Sequence, residues 1–218
     1  MTRTQSISEI VAEVEKATRL RVYTRQYSII SYIYENGVSS PHSILTACAI
    51  PSSTLFLALN ELKRSRLLQA RPSPVGTGHQ CYDLHPDTRN LLECAHLSIH
   101  AWMKSRSPQR GENRFGSMHD RIKMIEDELG IKYYSIEYRI AVNLYEAFEA
   151  RAVDLLETGE YSSTALFYTL KRMSDMSIVE ARPDPLDLRS KIYSLSDRVR
   201  SVMDEAHRKI FERGLLVS

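Results

Sequence analysis

The chain has 218 residues, of which 43% are hydrophobic and 26% charged, a composition typical of a globular protein with one large domain or two of about 100 residues. Its net charge of +2 does not by itself indicate a nucleic-acid partner, and no apolar run approaches the ~18 residues that a membrane span needs. Its three cysteines do not have the spacing of metal ligands. We therefore expect a reduced, cytoplasmic protein with no cofactor and no membrane partner.

The sequence repeats itself with a constant offset of 111 residues. The repeat runs from about residue 6 to about residue 105 without a gap, and a constant offset over such a span indicates two copies of one domain. The segment between the copies is rich in Pro, Gly and charge and has no apolar period. We predict a first domain over 6–105, a linker over 106–116 and a second domain over 117–218. The matched residues include Tyr23 with Tyr134, Ala70 to Pro72 with Ala181 to Pro183, Arg89 with Arg200, and His96 with His207.

Each copy shows the same order of predicted elements. In the first copy, apolar residues at helical spacing begin the pattern, Gly37 is placed to end the second helix, and Pro41 lies in the first turn of the third. Ser52 or Ser53 is placed to cap the fourth helix. Two short strands flank a turn, and a long helix follows. The predicted helices are 6–18, 24–36, 40–48, 52–65 and 86–104, and the predicted strands are 67–71 and 80–84.

This order predicts a mainly α fold with small β-hairpins, an α+β class in which each copy is a winged helix-turn-helix domain. In such a domain the second helix of the helix-turn-helix fits a DNA major groove. The hairpin, or wing, contacts the adjacent phosphates or the minor groove. The predicted recognition helices are 52–65 and 163–175. We find no nucleophile motif, no paired catalytic carboxylates and no metal motif, so an enzyme is not expected.

The segment from Ser163 to Asp197 resembles the MarR family of bacterial transcription regulators. Its most specific part is Arg-Pro-Asp-Pro-Leu-Asp-Leu-Arg at 182–189, followed by Tyr-Ser-Leu-Ser at 193–196. The first copy resembles the family over 52–74, and Thr54-Leu55-Phe56 adds a weaker similarity to PadR-type regulators. The two copies together cover almost the entire chain.

The resemblance implies a sequence-specific regulator of transcription that binds double-stranded DNA. It implies that Arg189 enters the minor groove and that Asp187 orients it. Family members dimerise through their first and last helices, so this chain would be such a dimer fused into one intramolecular pseudo-dimer; further self-association is left open. The DNA-binding residues that we predict are Ser52, Ser53, Thr54, Leu57, Asn60, Arg64, Arg71, Ser163, Thr164, Tyr168, Lys171, Arg172, Arg182, Asp187, Arg189 and Lys191.

The sequence departs from the family pattern in both copies. The first wing has Gly76 and Gly78 at the positions that match Asp187 and Arg189, so it lacks the minor-groove arginine. The glycine that the family often places after the recognition helix is replaced, and apolar residues occupy groove-facing positions. Such residues touch a thymine methyl group but cannot make a bidentate contact to guanine. These replacements are Arg66 and Ser177 after the helices, and Phe56, Leu57, Phe167 and Tyr168 on them.

Several features have two interpretations. Arg71 and Arg182 either contact phosphates or tie the wing to an acidic residue. The clustered tyrosines indicate core packing or, as the resemblance implies, a cleft for a phenolic-type effector. Cys81, in a wing, is expected to be more exposed than Cys48.

Charge divides unevenly, with a net +5 in residues 1–110 and −3 in residues 111–218. Because the two copies differ, we expect an asymmetric DNA site. Two alternatives remain: a plasmid-type replication initiator, and a protein-binding module that uses the exposed apolar residues of the recognition helices.

Overall fold

The computed structural model describes residues 7–73, 80–105, 114–159 and 161–216, and it describes side chains over 9–73, 80–97, 122–159 and 161–209. The predicted linker, 106–116, and the tip of the first wing, 74–79, thus lie wholly or largely outside the described residues. The helices are α1 (Ile7–Thr18), α2 (Arg25–Asn36), α3 (Pro41–Cys48), α4 (Ser52–Arg64), α5 (Pro86–Ser105), α6 (Arg114–Leu129), α7 (Ile136–Ala147), α8 (Ala152–Thr158), α9 (Ser163–Asp175) and α10 (Asp197–Leu216). The strands are β1 (Leu68–Pro72), β2 (Gln80–Leu84), β3 (Glu149–Arg151), β4 (Val179–Pro183) and β5 (Lys191–Leu195).

The element bounds recur along the chain with the offset seen in the sequence. Helices α2, α4 and α5 and strands β1 and β2 each reappear, residue for residue, 111 positions later as α7, α9, α10, β4 and β5. Each series forms three helices, a hairpin and a long helix, which is the winged helix-turn-helix order. The α+β fold class predicted from the sequence is confirmed.

The chain divides into two compact units whose bounds differ from those of the two sequence repeats. Unit 2 is Tyr23–Tyr133, and unit 1 joins Met1–Val22 to Tyr134–Ser218. Helix α1 of the first repeat therefore belongs with the second winged helix, where it packs against α10. Helix α6 of the second repeat belongs with the first winged helix, where it packs against α5.

Equivalent hydrogen bonds hold each exchanged segment within its unit. In unit 2, Glu126 Oε1 accepts from the Tyr133 backbone at 2.7 Å, and the Thr24 backbone donates to the Tyr133 carbonyl at 3.0 Å. In unit 1, Glu15 Oε1 accepts from the Val22 backbone at 2.7 Å, and the Ser135 backbone donates to the Val22 carbonyl at 2.9 Å. Each unit thus uses the same anchoring contacts, which come from opposite repeats.

The core of unit 2 lies between α2, α4, the hairpin and α6. Strands β1 and β2 pair antiparallel, with Leu68 opposite Leu84, and an isolated bridge joins Ser39 to Tyr82. The buried residues of this core include Ile30, Ile33, Ile44, Leu55, Leu59, Leu62, Leu84, Leu92, Ile125, Leu129 and Ile131.

The core of unit 1 is built in the same way around a slightly larger sheet. Its three strands are antiparallel in the order β3-β5-β4, with Val179 opposite Leu195. The buried residues of this core include Leu20, Ile140, Leu144, Leu155, Leu166, Leu170, Met173, Ile178, Val199 and Met203.

Helix ends largely follow the sequence signals, with one correction. Gly37 ends α2 with a positive φ of 70°, as predicted, and Pro41 occupies the first turn of α3 behind the Ser40 cap. The prediction that Ser52 or Ser53 caps α4 is wrong. The cap residue is Pro51, which has no side-chain acceptor. The helix begins directly at Ser52 because the proline fixes a backbone angle that suits entry into a helix.

Within the described residues, no helix taken alone has the length and apolar character of a membrane span. The pair α3 and α4, bent by 115° at their junction, meets that test only when the two are taken together.

Candidate nucleic-acid interface

Helix α4 in unit 2 has one buried face and one exposed face. Leu55 and Leu59 are fully buried, and Leu62 is 1% exposed, because the spacing of these leucines places them on a single stripe. The opposite face carries predicted DNA-binding residues that are all exposed except Thr54, which is half-buried. The exposed ones are Ser52, Ser53, Leu57, Asn60 and Arg64.

Helix α9 in unit 1 has the same division. Leu166, Leu170 and Met173 are buried in the core, and Ser162 caps the helix by accepting a hydrogen bond from the Ala165 backbone at 3.2 Å. The predicted residues on the other face are all exposed. They are Ser163, Thr164, Tyr168, Lys171 and Arg172.

Large apolar side chains occupy part of both exposed faces. Leu57 is 66% exposed and Tyr168 69%, and they stand at matched positions of α4 and α9. The residues before them, Phe56 and Phe167, are 48% and 51% exposed. These surfaces are suited to contact with methyl groups and sugar rings more than to dense hydrogen bonding.

The cations on the two helices differ in their availability. In the described part of the chain, the side chains of Arg64 and Lys171 form no ion pair. Arg172 forms an ion pair with Glu137 of α7. The matched contact in unit 2 runs from Gln26 of α2 to Glu61, with Nε2 donating to Oε2 at 3.0 Å. A matched contact therefore joins α9 to α7 and α4 to α2, but the recognition helix contributes an arginine in unit 1 and a glutamate in unit 2.

The matched wing arginines both pair with acidic residues of their own sheets. Arg71 Nε lies 3.1 Å from Asp83 Oδ2, and an Arg182 guanidinium nitrogen lies 2.7 Å from Glu149 Oε2. Their side chains remain about half exposed. Arg71 and Arg182 were expected either to contact phosphates or to tie the wing to an acidic residue, and the structure has the contact with an acidic residue.

The tip of the second wing is fixed by its own hydrogen bonds. Asp187 Oδ1 accepts from the Arg189 backbone at 3.0 Å, and Oδ2 accepts from the Ser190 hydroxyl at 2.8 Å. These two donors lower the pKa of the Asp187 carboxyl, the hydroxyl more than the backbone amide.

Asp187 therefore shapes the turn that carries Arg189, and its expected role in orienting the Arg189 side chain stays a prediction. Its two described donors are a backbone amide and a hydroxyl, as expected of a carboxylate that closes a turn on its own backbone. Arg189 and Lys191 are exposed, and neither forms an ion pair within the described ranges.

Sequence reasoning did not identify the two exposed leucines at this tip. Leu186 is 95% exposed and Leu188 82%. The only signal was the alternation of leucine with aspartate inside a turn, where a polar residue is the common choice.

The expectation for the cysteines is wrong. Cys81 is buried, with 5% of its surface exposed, whereas Cys48 is half-buried. Cys81 lies opposite Arg71 in the hairpin and shares a face of β2 with Asp83, the face opposite that of the core residues Tyr82 and Leu84.

Tyrosines in unit 2 pack against each other. The ring centroids of Tyr27 and Tyr133 are 3.9 Å apart, and Tyr23 meets Tyr133 edge-on at 5.2 Å. Burial raises the pKa of the Tyr133 hydroxyl, against smaller opposite effects of its hydrogen bonds with Tyr27 and Tyr23. This is the core packing given above as one interpretation. The phenolic-type effector stays a prediction.

The residues with described side chains contain no group of three or more His, Cys, Asp or Glu placed to hold a metal ion. The polar groups on the exposed faces of α4 and α9 are hydroxyls, one amide, cations and the carboxylates of Glu61 and Asp175. The hydroxyls, the amide and the cations are suited to phosphates and base edges.

No protein-family model and no curated protein matches the chain. Solved structures do, each over about half of it. The apo crystal structure of MarR from E. coli is 17% identical with a TM-score of 0.34, over 50% of this chain and 82% of that one. A structure of NadR in complex with 4-hydroxyphenylacetate is 17% identical with a TM-score of 0.35, over 51% and 82%. The winged helix-turn-helix domain of Mb0332 from Mycobacterium bovis, a possible ArsR-family regulator, is 22% identical with a TM-score of 0.34, over 50% and 100%. These structures have the winged helix-turn-helix order that the chain's own elements form.

Proposed function

We propose that the chain is a sequence-specific, double-stranded DNA-binding transcription regulator of MarR type. In this proposal α4 and α9 enter successive major grooves, about 34 Å apart along the duplex, and the wings contact the backbone or the minor groove. The observation that carries the proposal is the pair of recognition helices. In each unit, the second helix of a helix-turn-helix buries one face and exposes the other beside a hairpin.

The charge available at these surfaces supports contact with phosphates. Arg64 at the end of α4, Lys171 on α9, and Arg189 and Lys191 on the second wing are exposed. Exposed cations that form no ion pair among the described residues can release counterions from DNA, and this release gives the affinity its salt dependence.

The two recognition helices differ where they would meet the bases. Asn60 matches Lys171, and Arg64 matches Asp175. Unlike side chains prefer unlike base edges, so one chain acting as a pseudo-dimer is expected to select an asymmetric site. A perfect inverted repeat protected by a single chain would count against this part of the proposal.

The test is selection of bound sequences from a genomic DNA library, followed by affinity measurements over a salt series. Variants Arg64→Ala and Arg189→Ala are measured beside wild type. Arg208→Ala is the matched control, because it removes an exposed cation of α10 that pairs with Glu205 at 2.6 Å.

An enriched motif and a steep salt slope are expected for wild type and for the control. Each interface variant is expected to bind more weakly, with the slope reduced by about 1. Weakening in Arg189→Ala alone would assign DNA contact to unit 1 only. No enriched motif together with a flat salt response would refute DNA binding.

A second candidate is a protein-binding module, and the exposure of Phe56, Leu57, Phe167 and Tyr168 favours it. An apolar patch of this kind can mark a protein contact. Binding to a protein partner would depend little on salt and would be lost in Leu57→Ser and Tyr168→Ser variants. The replication initiator, by contrast, would select directly repeated origin sequences in the same library.

A further inference from the structure

The second wing ends in an exposed apolar pair. Leu186 and Leu188 are 95% and 82% exposed, more than any other large hydrophobic residue whose side chain is described. Exposed leucines are common singly on protein surfaces. Two of them one residue apart, at the point where the hairpin projects furthest from its sheet, form a contiguous apolar tip.

This tip is held in one conformation by hydrogen bonds. The Asp184 backbone donates to the Ser190 carbonyl at 3.1 Å, and the Ser190 backbone donates to the Asp187 carbonyl at 2.8 Å. Asp184 is itself buried, and its Oδ1 accepts from the Leu186 backbone at 2.9 Å. The leucines are therefore presented by an ordered turn, so covering them needs little further ordering of the backbone.

The charges beside the tip select among possible partners. Arg189 and Lys191 follow the leucines and are exposed. The carboxylates of the turn are less available, since Asp184 is buried and Asp187 accepts two hydrogen bonds. An apolar tip followed by two available cations is complementary to a duplex, which offers apolar base faces inside a phosphate backbone.

We propose that Leu186 and Leu188 act as an apolar wedge that enters the minor groove, partly unstacks one base step and kinks the DNA. The proposal rests on the proposed function and adds to it a deformation of the bound site. Side chains of this type open base steps in other minor-groove proteins, and pyrimidine–purine steps yield most readily.

Only the second repeat carries the wedge. The matched positions in the first repeat are Val75 and Thr77, followed by Gly78 in place of Arg189. The kink is thus expected in one half of the site, the half bound by unit 1. That half should favour a TA or CA step where the wing reaches the groove.

The experiment uses the full chain and the DNA motif that the library selection yields. 2-Aminopurine is placed at successive positions of the motif, and its fluorescence reports unstacking. Energy transfer between dyes at the two DNA ends reports bending. The variants are Leu188→Ala, the double variant with Leu186→Ala, and Leu188→Met, which keeps a flexible apolar side chain. Leu97→Ala on α5, at a residue 70% exposed, is the matched control.

Wild type, Leu188→Met and the control are expected to give a several-fold rise in fluorescence at one position in one half-site, together with a bend. The double variant is expected to lose both signals. Its affinity is expected to fall less than tenfold, since the cost of unstacking is lost together with the burial of the leucines. Unchanged thermal midpoints would exclude a folding defect.

Three results would overturn the wedge. Tight binding by wild type with no unstacking and no bend would remove it and leave the proposed function in place. Unstacking that persists in the double variant would assign the deformation to other residues. Absence of any DNA binding would refute the proposed function and the wedge together. The leucine pair would then be tested as a contact for a partner protein.

Discussion

The exchange of first helices between the repeats makes a prediction about which piece of the chain can fold. Unit 2 is continuous, Tyr23–Tyr133, so it can be produced as one fragment that holds the first winged helix together with α6. The fragment 23–105 has the same winged helix without α6. We expect 23–133 to unfold cooperatively and 23–105 to be largely unfolded or aggregated.

The magnitude follows from the residues that α6 and the segment after it bury in unit 2. Ile125, Leu129 and Ile131 are 7%, 5% and 9% exposed and belong to its core. Burial of one such side chain stabilises by ~1.5–3 kcal/mol, so the three together contribute roughly 5–9 kcal/mol, an upper estimate. Whole domains have free energies of unfolding of about 5–15 kcal/mol. Removal of α6 and the segment after it is therefore expected to eliminate most of the free energy of unfolding of unit 2.

The assay is urea unfolding of both fragments, with circular dichroism and tryptophan fluorescence as the signals that monitor unfolding. Ile125→Ala within 23–133 is expected to lower the free energy of unfolding by ~2–5 kcal/mol. The neighbouring Met124 is 63% exposed, and Met124→Ala should change it by less than about 0.5 kcal/mol. Equal stability of 23–105 and 23–133, or equal effects of the two substitutions, would refute the assignment of α6 to unit 2.

Three further predictions concern stability and are each checked by urea midpoints. Arg66 and Ser177 have positive φ of 58° and 54°, so replacing either by Gly is expected to raise the free energy of unfolding by about 0.5–1 kcal/mol, since the left-handed conformation strains other residues. Arg200 donates to three carbonyls at the end of α7, so Arg200→Met is expected to cost ~2–4 kcal/mol. Burial lowers the pKa of His207 from 6.5 to about 4, against a smaller opposite effect of Asp204. The neutral form is thus favoured in the fold, and the stability present above pH 6.5 should fall by roughly 3 kcal/mol as pH drops towards 4. His207→Asn should flatten this dependence.

Local structure was largely predictable from the sequence. The apolar spacing of α4 and the 111-residue offset together predicted α9 with its observed bounds, 163–175, because a stripe of buried apolar residues acts within one helix. The end of α2 at Gly37 was also predicted from a local signal, since a positive φ at a helix end favours glycine. Such signals depend only on near neighbours in sequence.

The exchange of first helices was not predictable from apolar periodicity, although the resemblance implied packing between the first and last helices of the two copies. Val14 and Ile125 occupy matched positions, and both are buried, so either helix has an apolar stripe suited to either unit. The choice between them depends on how the chain runs between helices. Periodicity within one helix carries no information about that path.

The chemistry of the candidate interface was predictable only in part. Apart from half-buried Thr54, the predicted residues of α4 and α9 lie on the exposed face, because exposure follows from the position of the buried stripe. The partners of Arg172 and Arg182 were not, since Glu137 and Glu149 lie 35 and 33 residues earlier in the sequence and only the fold brings them close. The burial of Cys81 was missed because Cys81 lies on the strand face opposite the core residues Tyr82 and Leu84, where alternation predicts exposure.

Comparison of matched positions separates what folding requires from what it leaves open. Glu15 and Glu126 make the same 2.7 Å hydrogen bond to the backbone seven residues ahead, and the acid is retained in both repeats because each exchanged segment needs that anchor. On the exposed faces, Arg64 is matched by Asp175, a reversal of charge at an equivalent site. Folding places little constraint on an exposed residue of this kind. A protein whose two halves bound identical sequences would have reason to keep the two faces alike, so their divergence favours a site with two unlike halves.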